Sequence, residues 1–245
     1  MVSLFPFTAD LHVHSCLSPC GDIMMLPNQI ARRANEMGID VLAITDHNTA
    51  GNVEVFEKVL SKYGVFLIPG IEIQTIEEVH ILAYFSSASI AIMFSKSLGD
   101  VYLPQIKNIP EEFGYQLYCD ENDEFTAIED IALMNSISLS LSKAIELVKQ
   151  HDGVCIFAHI YRTFGVIRQL GFLPKDVRVS GCEIRDRTEL EKAKQDGCDR
   201  VFISSDAHLL ESIVRPRMRF YMKERSYDEF VLALNRKDGR RIELL

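Results

Sequence analysis

The sequence predicts an α/β protein: alternating strands and helices closed into a parallel, TIM-like barrel of seven strands, with a small insertion at about residues 86–140. Three observations carry that expectation. Seven short runs are apolar throughout rather than alternating, as strands buried on both faces beneath helices must be. Polar turns and amphipathic helices follow several of them, the order that builds a parallel sheet. Six of the seven histidines follow or sit within those runs; barrel enzymes keep their chemistry at the carboxyl ends of such strands.

The first strand begins at Leu4 and ends in Asp10-Leu-His12-Val-His14-Ser15. Side chains two apart share a strand face, so His12 and His14 can present two imidazoles to one metal ion. A loop over 16–26 contains Pro19, Gly21 and Asp22; Pro27 then opens a helix with Ile30, Ala31, Ala34 and Met37 inward and Gly38 as its stop. The next unit repeats the order, with a strand over 40–45, a polar turn over 46–51 that carries His47, and a helix over 53–63 stopped by Gly64. A third strand over 65–73 ends in Pro69-Gly70-Ile71-Glu72, and a fourth over 78–85 carries His80.

From 86 to 140 the alternation lapses. Pro104, Pro110, Gly114 and the acidic run 120–124 lie between short apolar segments, which suggests an insertion with a small hairpin over one barrel face. Regularity returns with a helix over 141–151, a strand over 154–158 followed by His159, and a strand over 179–184. A helix over 189–196, a strand over 201–205 followed by Asp206 and His208, and a closing helix over 227–235 complete the chain. No internal repeat or linker-like composition interrupts it, so residues 1–245 read as one domain.

The six cysteines form no CxxC pair and are scattered among strands and a loop, which points to a reducing cytoplasm rather than a secreted disulfide framework. Residues 1–7 lack the pattern of a signal peptide. The richest apolar stretch, 81–94, falls short of the ~20 residues a bilayer requires, so no membrane partner is expected. A formal charge of -9 offers no basic footprint for a nucleic-acid backbone and disfavours long duplex nucleic acid as a partner. Oligomeric state is written in no motif.

A single histidine beside a strand is ordinarily a satisfied core or surface residue; six placed alike are not. The motifs Asp10-Leu-His-Val-His14-Ser15, Thr45-Asp-His47, Pro69-Gly-Ile-Glu72, His80, Ala158-His159 and Ser204-Ser-Asp-Ala-His208 resemble, in order, those of the PHP (polymerase and histidinol phosphatase) family over residues 8–210. The resemblance implies a distorted seven-stranded βα barrel with two or three divalent ions, zinc, manganese or iron, at its rim. It implies that His12, His14, Glu72 and Asp206 hold one ion, and that Glu72 bridges to a second at His80 and His159. A third would take His47, His208 and a ligand from the first loop. Family members supply Asp or His there, and Asp22 is such a side chain. Cys16 and Cys20 are the other donors in that loop, although isolated cysteines are more often inert thiols. The loop Ser18-Pro19-Cys20-Gly21-Asp22 departs from the family's commoner Ser-Asp-Gly form. Arg162 is similar to an arginine that follows the family's strand histidine, which implies a guanidinium fork for phosphate.

The donor chemistry agrees with that set. Neutral imidazole and carboxylate suit zinc, manganese and iron, and a bridging carboxylate lets two cations share one charge. Dications set against Asp22, Glu72 and Asp206 leave a positive pocket that favours phosphate. The expected activity is metal-dependent hydrolysis of a small phosphomonoester or nucleotide by a metal-bound hydroxide, with Glu72, Asp206 and Arg162 as catalytic residues. Two other readings stay open: an amidohydrolase-type carbon hydrolase, and a metal-binding regulatory module without turnover. Amidohydrolase-type barrels also begin with HxH but often bridge two metals with a modified lysine, and no lysine ends any strand assigned here. Asp10, Asp46 and Glu183 are expected to support ligands or cap turns, and His151 to end a helix where a cation is favourable.

Overall fold

A computed structural model describes residues 3–245, so the first two residues of the segment 1–7 lie outside the description. The chain runs β1 (Phe5–Val13), α1 (Pro27–Met37), β2 (Val41–Ile44), α2 (Val53–Lys62), β3 (Phe66–Gln74), β4 (His80–Tyr84) and α3 (Ala88–Tyr102). It continues through α4 (Pro110–Phe113), β5 (Leu117–Cys119), β6 (Phe125–Ile128), α5 (Leu141–Gln150), β7 (Val154–Phe157), α6 (Val166–Leu170) and β8 (Cys182–Glu183). Last come α7 (Leu190–Gln195), β9 (Val201–Phe202), β10 (Met218–Met222), α8 (Tyr227–Leu234) and β11 (Arg241–Leu244).

Nine strands form one nearly closed, barrel-shaped sheet in the order β11-β10-β1-β2-β3-β4-β7-β8-β9. The amino-terminal half of β1 pairs antiparallel with β10, from Phe5↔Met222 to Ala9↔Met218. Its carboxyl end is met by the segment leaving β9: His14 N donates to Ala207 O at 2.9 Å and Ala207 N to His12 O at 3.3 Å. That short seam closes the barrel at the rim where the histidines lie. Two apolar layers follow from the sheet's two faces. Ala9, Leu11, Val41, Ala43, Leu82 and Tyr84 pack inside, while Val13, Leu42, Ile44, Ile81 and Ala83 face the surrounding helices. At the end away from the histidines, α8 inserts Phe230 against Tyr84 and Phe220 and plugs the barrel.

The α/β barrel is as the sequence predicts, but the strand count is nine rather than seven and the sheet is not wholly parallel. β3 and β4 are antiparallel, Gln74 facing His80, because only residues 75–79 separate them; a parallel crossover needs a dozen or more residues. His80 therefore opens its strand instead of ending it, and reaches the rim because β4 runs backwards. β10 carries an alternating burial pattern, buried at Met218, Phe220 and Met222, so a search for continuous apolar runs passes over it; β11 pairs with it at the edge.

The stretch expected to be an insertion begins with a regular helix. In α3 the buried Ala88, Ala91, Phe94, Ser95 and Leu98 recur at helical spacing, and Ser87 caps it by accepting from Ile90 N. The expected hairpin is β5–β6. Cys182 and Cys198 are joined as a disulfide with Cα atoms 6.2 Å apart, which removes the ground for reading a reducing compartment from unpaired cysteines. Among the described residues no helix is long and apolar enough to cross a membrane.

Candidate metal centre

β1 delivers His12 and His14 fully buried, and the partners of their far nitrogens fix which nitrogen faces the cavity. His12 Nδ1 lies 2.9 Å from Glu183 Oε2 and His14 Nδ1 lies 2.8 Å from Ser18 Oγ. Ser18 Oγ in turn donates to Asp46 Oδ1 at 2.8 Å, so it accepts the His14 proton. Each ring thus donates from Nδ1 to a partner behind it and turns Nε2 inward. The two Nε2 atoms are 3.1 Å apart. Asp206 Oδ1 lies 3.2 and 3.3 Å from them, and Glu72 Oε2 lies 3.4 and 3.3 Å away. Four tetrahedral ligands bound at ~2.0–2.1 Å are separated by about 3.3 Å. Each of the two carboxylate oxygens therefore stands at ligand spacing from both nitrogens, and His12, His14 and Asp206 form one compact donor group.

The other Glu72 oxygen serves a second cluster. Oε1 is 2.8 Å from His80 Nδ1 and 3.0 Å from His159 Nε2, and those two nitrogens are 3.3 Å apart. His80 gives its Nε2 proton to Gln74 Oε1 at 3.0 Å, which leaves Nδ1 as the free donor atom. His47 Nδ1 stands 3.3 Å from Glu72 Oε2 and is buried without a hydrogen-bond partner, as is His159 Nδ1. His159 (φ 24°) and Asp206 (φ 51°) hold left-handed backbones; strain of this kind concentrates at functional sites.

Electrostatics reinforces the geometry. Burial opposes a charge on His12, yet Glu183, Asp206 and Glu72 outweigh it and raise its pKa well above the usual histidine value. His14 is raised to about 9 against the same burial by Asp206 and Glu72. Glu72 stays well below the carboxylate range despite burial, because His80, His12 and His47 surround it. The carboxylates thus favour protonated imidazoles at His12 and His14, the positive charge that a divalent ion would otherwise supply.

Of the residues singled out from sequence, His12, His14, His47, Glu72, His80, His159, Asp206 and His208 come together at this rim. Asp22 does not join them: its carboxylate accepts from Met24 N at 2.8 Å and caps its own turn. Cys20 Sγ instead falls with nitrogens of His14, His47 and His208, all within 4.8 Å of one another. Arg162 lines the cavity and donates to Asp206 Oδ2 at 2.6 Å. Asp10 and Asp46 accept from backbone and hydroxyl groups beside the ligands, as expected. Glu183 accepts from both His12 and His159 N. His151 closes α5 with Nδ1 bonded to Leu147 O.

Sequence reasoning passed over Ser18, Gln74, Phe164, Phe113 and Arg168. Gln74 was open to detection, since it lies two residues after Glu72 on the same strand. Phe164 lies flat on His80, with ring centroids 4.8 Å apart, and its carbonyl accepts from His80 N. The cavity over the cluster measures about 730 Å³; Phe113 and Glu112 of α4 form one wall, and Tyr161, Arg162, Phe164 and Arg168 another.

A barrel rim that gathers two carboxylates and six histidines is a candidate metal centre. The chain belongs to the PHP domain family, whose sequence profile matches residues 10–235. A stretch of 73 residues is 40% identical to the 5'-3' exoribonuclease Rnm of Salmonella typhimurium, covering 29% of this chain and 24% of that protein. The fold is similar to the lesion-specific endonuclease PfuEndoQ of Pyrococcus furiosus, with a TM-score of 0.72 at 19% identity over 97% of this chain and 58% of that one. It is also similar to Endonuclease Q in complex with a 27-mer duplex substrate carrying an abasic lesion at the active site, with a TM-score of 0.69 at 18% identity, again over 97% and 58%. The chain thus spans about a quarter of the exoribonuclease's length and 58% of PfuEndoQ.

These findings overturn the expectation of a small phosphorylated partner and no long duplex nucleic acid. A protein of this fold holds a duplex at its active site, and a relative in sequence is an exoribonuclease. Net charge is a sum over the whole surface and says little about the field inside one cleft.

Proposed function

We propose that this chain hydrolyses phosphoester bonds in nucleic acid, with divalent ions at His12, His14, Glu72 and Asp206 and at Glu72, His80 and His159. The observation that carries the reading is the set of facing donor atoms: His12 Nε2 and His14 Nε2 stand 3.1 Å apart, Asp206 Oδ1 lies 3.2 and 3.3 Å from them and Glu72 Oε2 3.4 and 3.3 Å. Buried nitrogens and carboxylate oxygens this close need a positive charge among them, which a proton or a metal ion supplies. Bound ions supply Lewis acidity toward phosphoryl oxygens and lower the proton affinity of water.

The chain's own residues do the rest. Glu72 turns Oε2 toward His12 and His14 and Oε1 toward His80 and His159, so it would hold an ion at each position. Arg162, whose guanidinium is half exposed at the cavity mouth, can turn from Asp206 to a phosphate oxygen as a planar fork. Arg168 adds a second cation, and the rings of Phe113, Tyr161 and Phe164 offer faces on which a base can stack. A cavity of about 730 Å³ lies within the usual range of ligand sites, enough for one nucleotide unit of a strand whose remainder lies across the rim.

The test is cleavage by protein loaded with Mn²⁺ or Zn²⁺, using end-labelled single-stranded RNA, duplex DNA with and without an abasic site, and p-nitrophenyl phosphate. Strand cleavage abolished by a chelator is the expected result. Turnover of p-nitrophenyl phosphate alone would overturn the nucleic-acid assignment and keep the hydrolase. Failure on every ester by protein of proven metal content would favour a regulatory module.

A further inference from the structure

The third donor cluster contains a residue with no part in the two ion positions above. We propose that Cys20 is a metal ligand: its thiolate completes, with His47 and His208, a third ion position, and biases that position toward borderline and soft ions such as Zn²⁺, Fe²⁺ or Co²⁺ over Mn²⁺ or Mg²⁺. The proposal rests on the metal-centre reading above and deepens it.

Four observations converge. Cys20 Sγ lies within 4.8 Å of donor nitrogens of His14, His47 and His208, and since His14 Nε2 already faces Asp206 and Glu72, the cysteine and the other two rings are the donors left. His208 places Nδ1 2.8 Å from Asp206 O, so it donates there and keeps Nε2 for a ligand. His47 has its Nδ1 3.3 Å from Glu72 Oε2, which leaves Nε2 as its donor toward this cluster. Finally, Cys16, Cys119 and Cys155 are buried, whereas Cys20 is the exposed free thiol among the described residues and lines the cavity.

The loop holds Cys20 in that place. Gly21 follows it so closely against Ser15 that a Cβ would sit 2.2 Å from Ser15 O, and Gly21 N donates to Ser18 O at 3.0 Å. Asp22 N is tied to His208 O at 2.9 Å, so the loop and His208 move as one unit while the Asp22 carboxylate is used in its own turn. A thiolate carries the same single negative charge as an aspartate but is a softer donor. On binding, the S–H bond breaks, its proton leaves to solvent, and the sulfur lone pair forms the bond to the ion, with no change of oxidation state.

The experiment strips the full chain of metal and titrates it with Co²⁺ while the near-ultraviolet spectrum is recorded. Wild type should develop thiolate-to-cobalt charge-transfer absorption that saturates at a fixed stoichiometry. Cys20→Ser should lose that band and one ion of the bound total, and Cys16→Ala should keep both. Iodoacetamide labelling with peptide mapping gives a second readout: Cys20 should react in the stripped protein and be protected by Zn²⁺. Cys20→Asp should restore the third ion while lowering the preference for Zn²⁺ over Mn²⁺ at least about tenfold. Ions bound without a charge-transfer band, together with Cys20 alkylated equally fast with and without Zn²⁺, would overturn the thiolate and leave the centre intact. No ion bound at all would overturn the centre itself, and the thiolate with it.

Discussion

His12 and His14 face each other Nε2 to Nε2 at 3.1 Å, because each donates its Nδ1 proton to a different acceptor, Glu183 for one and Ser18 for the other. Two nitrogens in that position need a positive charge between or upon them, and the raised pKa values of both rings favour a proton there when no ion is bound.

Metal uptake should therefore release protons. With His14 raised from 6.5 to about 9 in the metal-free protein, affinity for Zn²⁺ should rise with pH up to about 9. Calorimetry at pH 7 in two buffers of different ionisation heat should show at least about one proton released per chain. The metal-free protein should behave oppositely in stability. A raised folded-state pKa contributes stability that is full below about 6.5 and lost as pH rises through about 9, so its melting temperature should fall across that window while that of the loaded protein does not. Parallel melting curves with and without metal from pH 6 to 9 would count against the assignment.

Glu72→Gln should abolish turnover and lower bound metal by at least one ion per chain, since the amide cannot offer a charged oxygen to each of two ions. Arg162→Ala should keep metal content and lower kcat/KM by roughly 10²-fold, through the lost charge-assisted contact to phosphate. Its pair with Asp206 is half exposed on the arginine side, so folding stability should change by less than about 1 kcal/mol. Elemental analysis and steady-state kinetics on the same samples separate the two.

Glu183→Ala removes the acceptor that orients His12 and the one that holds the backbone N–H of His159. Metal affinity should fall about 10–100-fold, as is usual when the partner of a ligand histidine is removed. Competition with a chromophoric chelator measures it; unchanged affinity would show that β1 alone aims the imidazole.

Phe230→Ala empties the plug at the far end of the barrel. The ring is fully buried against Tyr84 and Phe220, and a deletion of that size costs about 3–5 kcal/mol. Urea unfolding should show the loss, while metal stoichiometry stays that of wild type.

Much of this was legible because it depends on local rules. The spacing of His12 and His14, the inward face of α1 and the polar residues ending apolar runs follow from periodicity and turn chemistry. What was not legible depends on chain path. The direction of β4 is set by the short link at 75–79, whose meaning emerges only once Gln74 is known to pair with His80. The choice between Asp22 and Cys20 is made by backbone bonds that tie the first loop to Ser18 and His208, residues whose proximity no spacing in the sequence reveals. Arg168 and Phe113 meet over the cavity from α6 and α4, separated by more than a helix and a hairpin.

The seam at Ala207 is slight in backbone bonds, yet His12 and His14 flank one side of it, and Asp206 and His208 the other. An ion held by His12 and Asp206 would therefore work as a clasp across the ends of a ribbon, binding together segments that enclose nearly the whole barrel. Loop-closure entropy makes such a clasp most effective when the enclosed chain is long. Amides at the seam, such as those of His14 and Ala207, should exchange with solvent deuterium far more slowly once the ion is in place, and the loaded barrel should open by local unfolding elsewhere before it parts there.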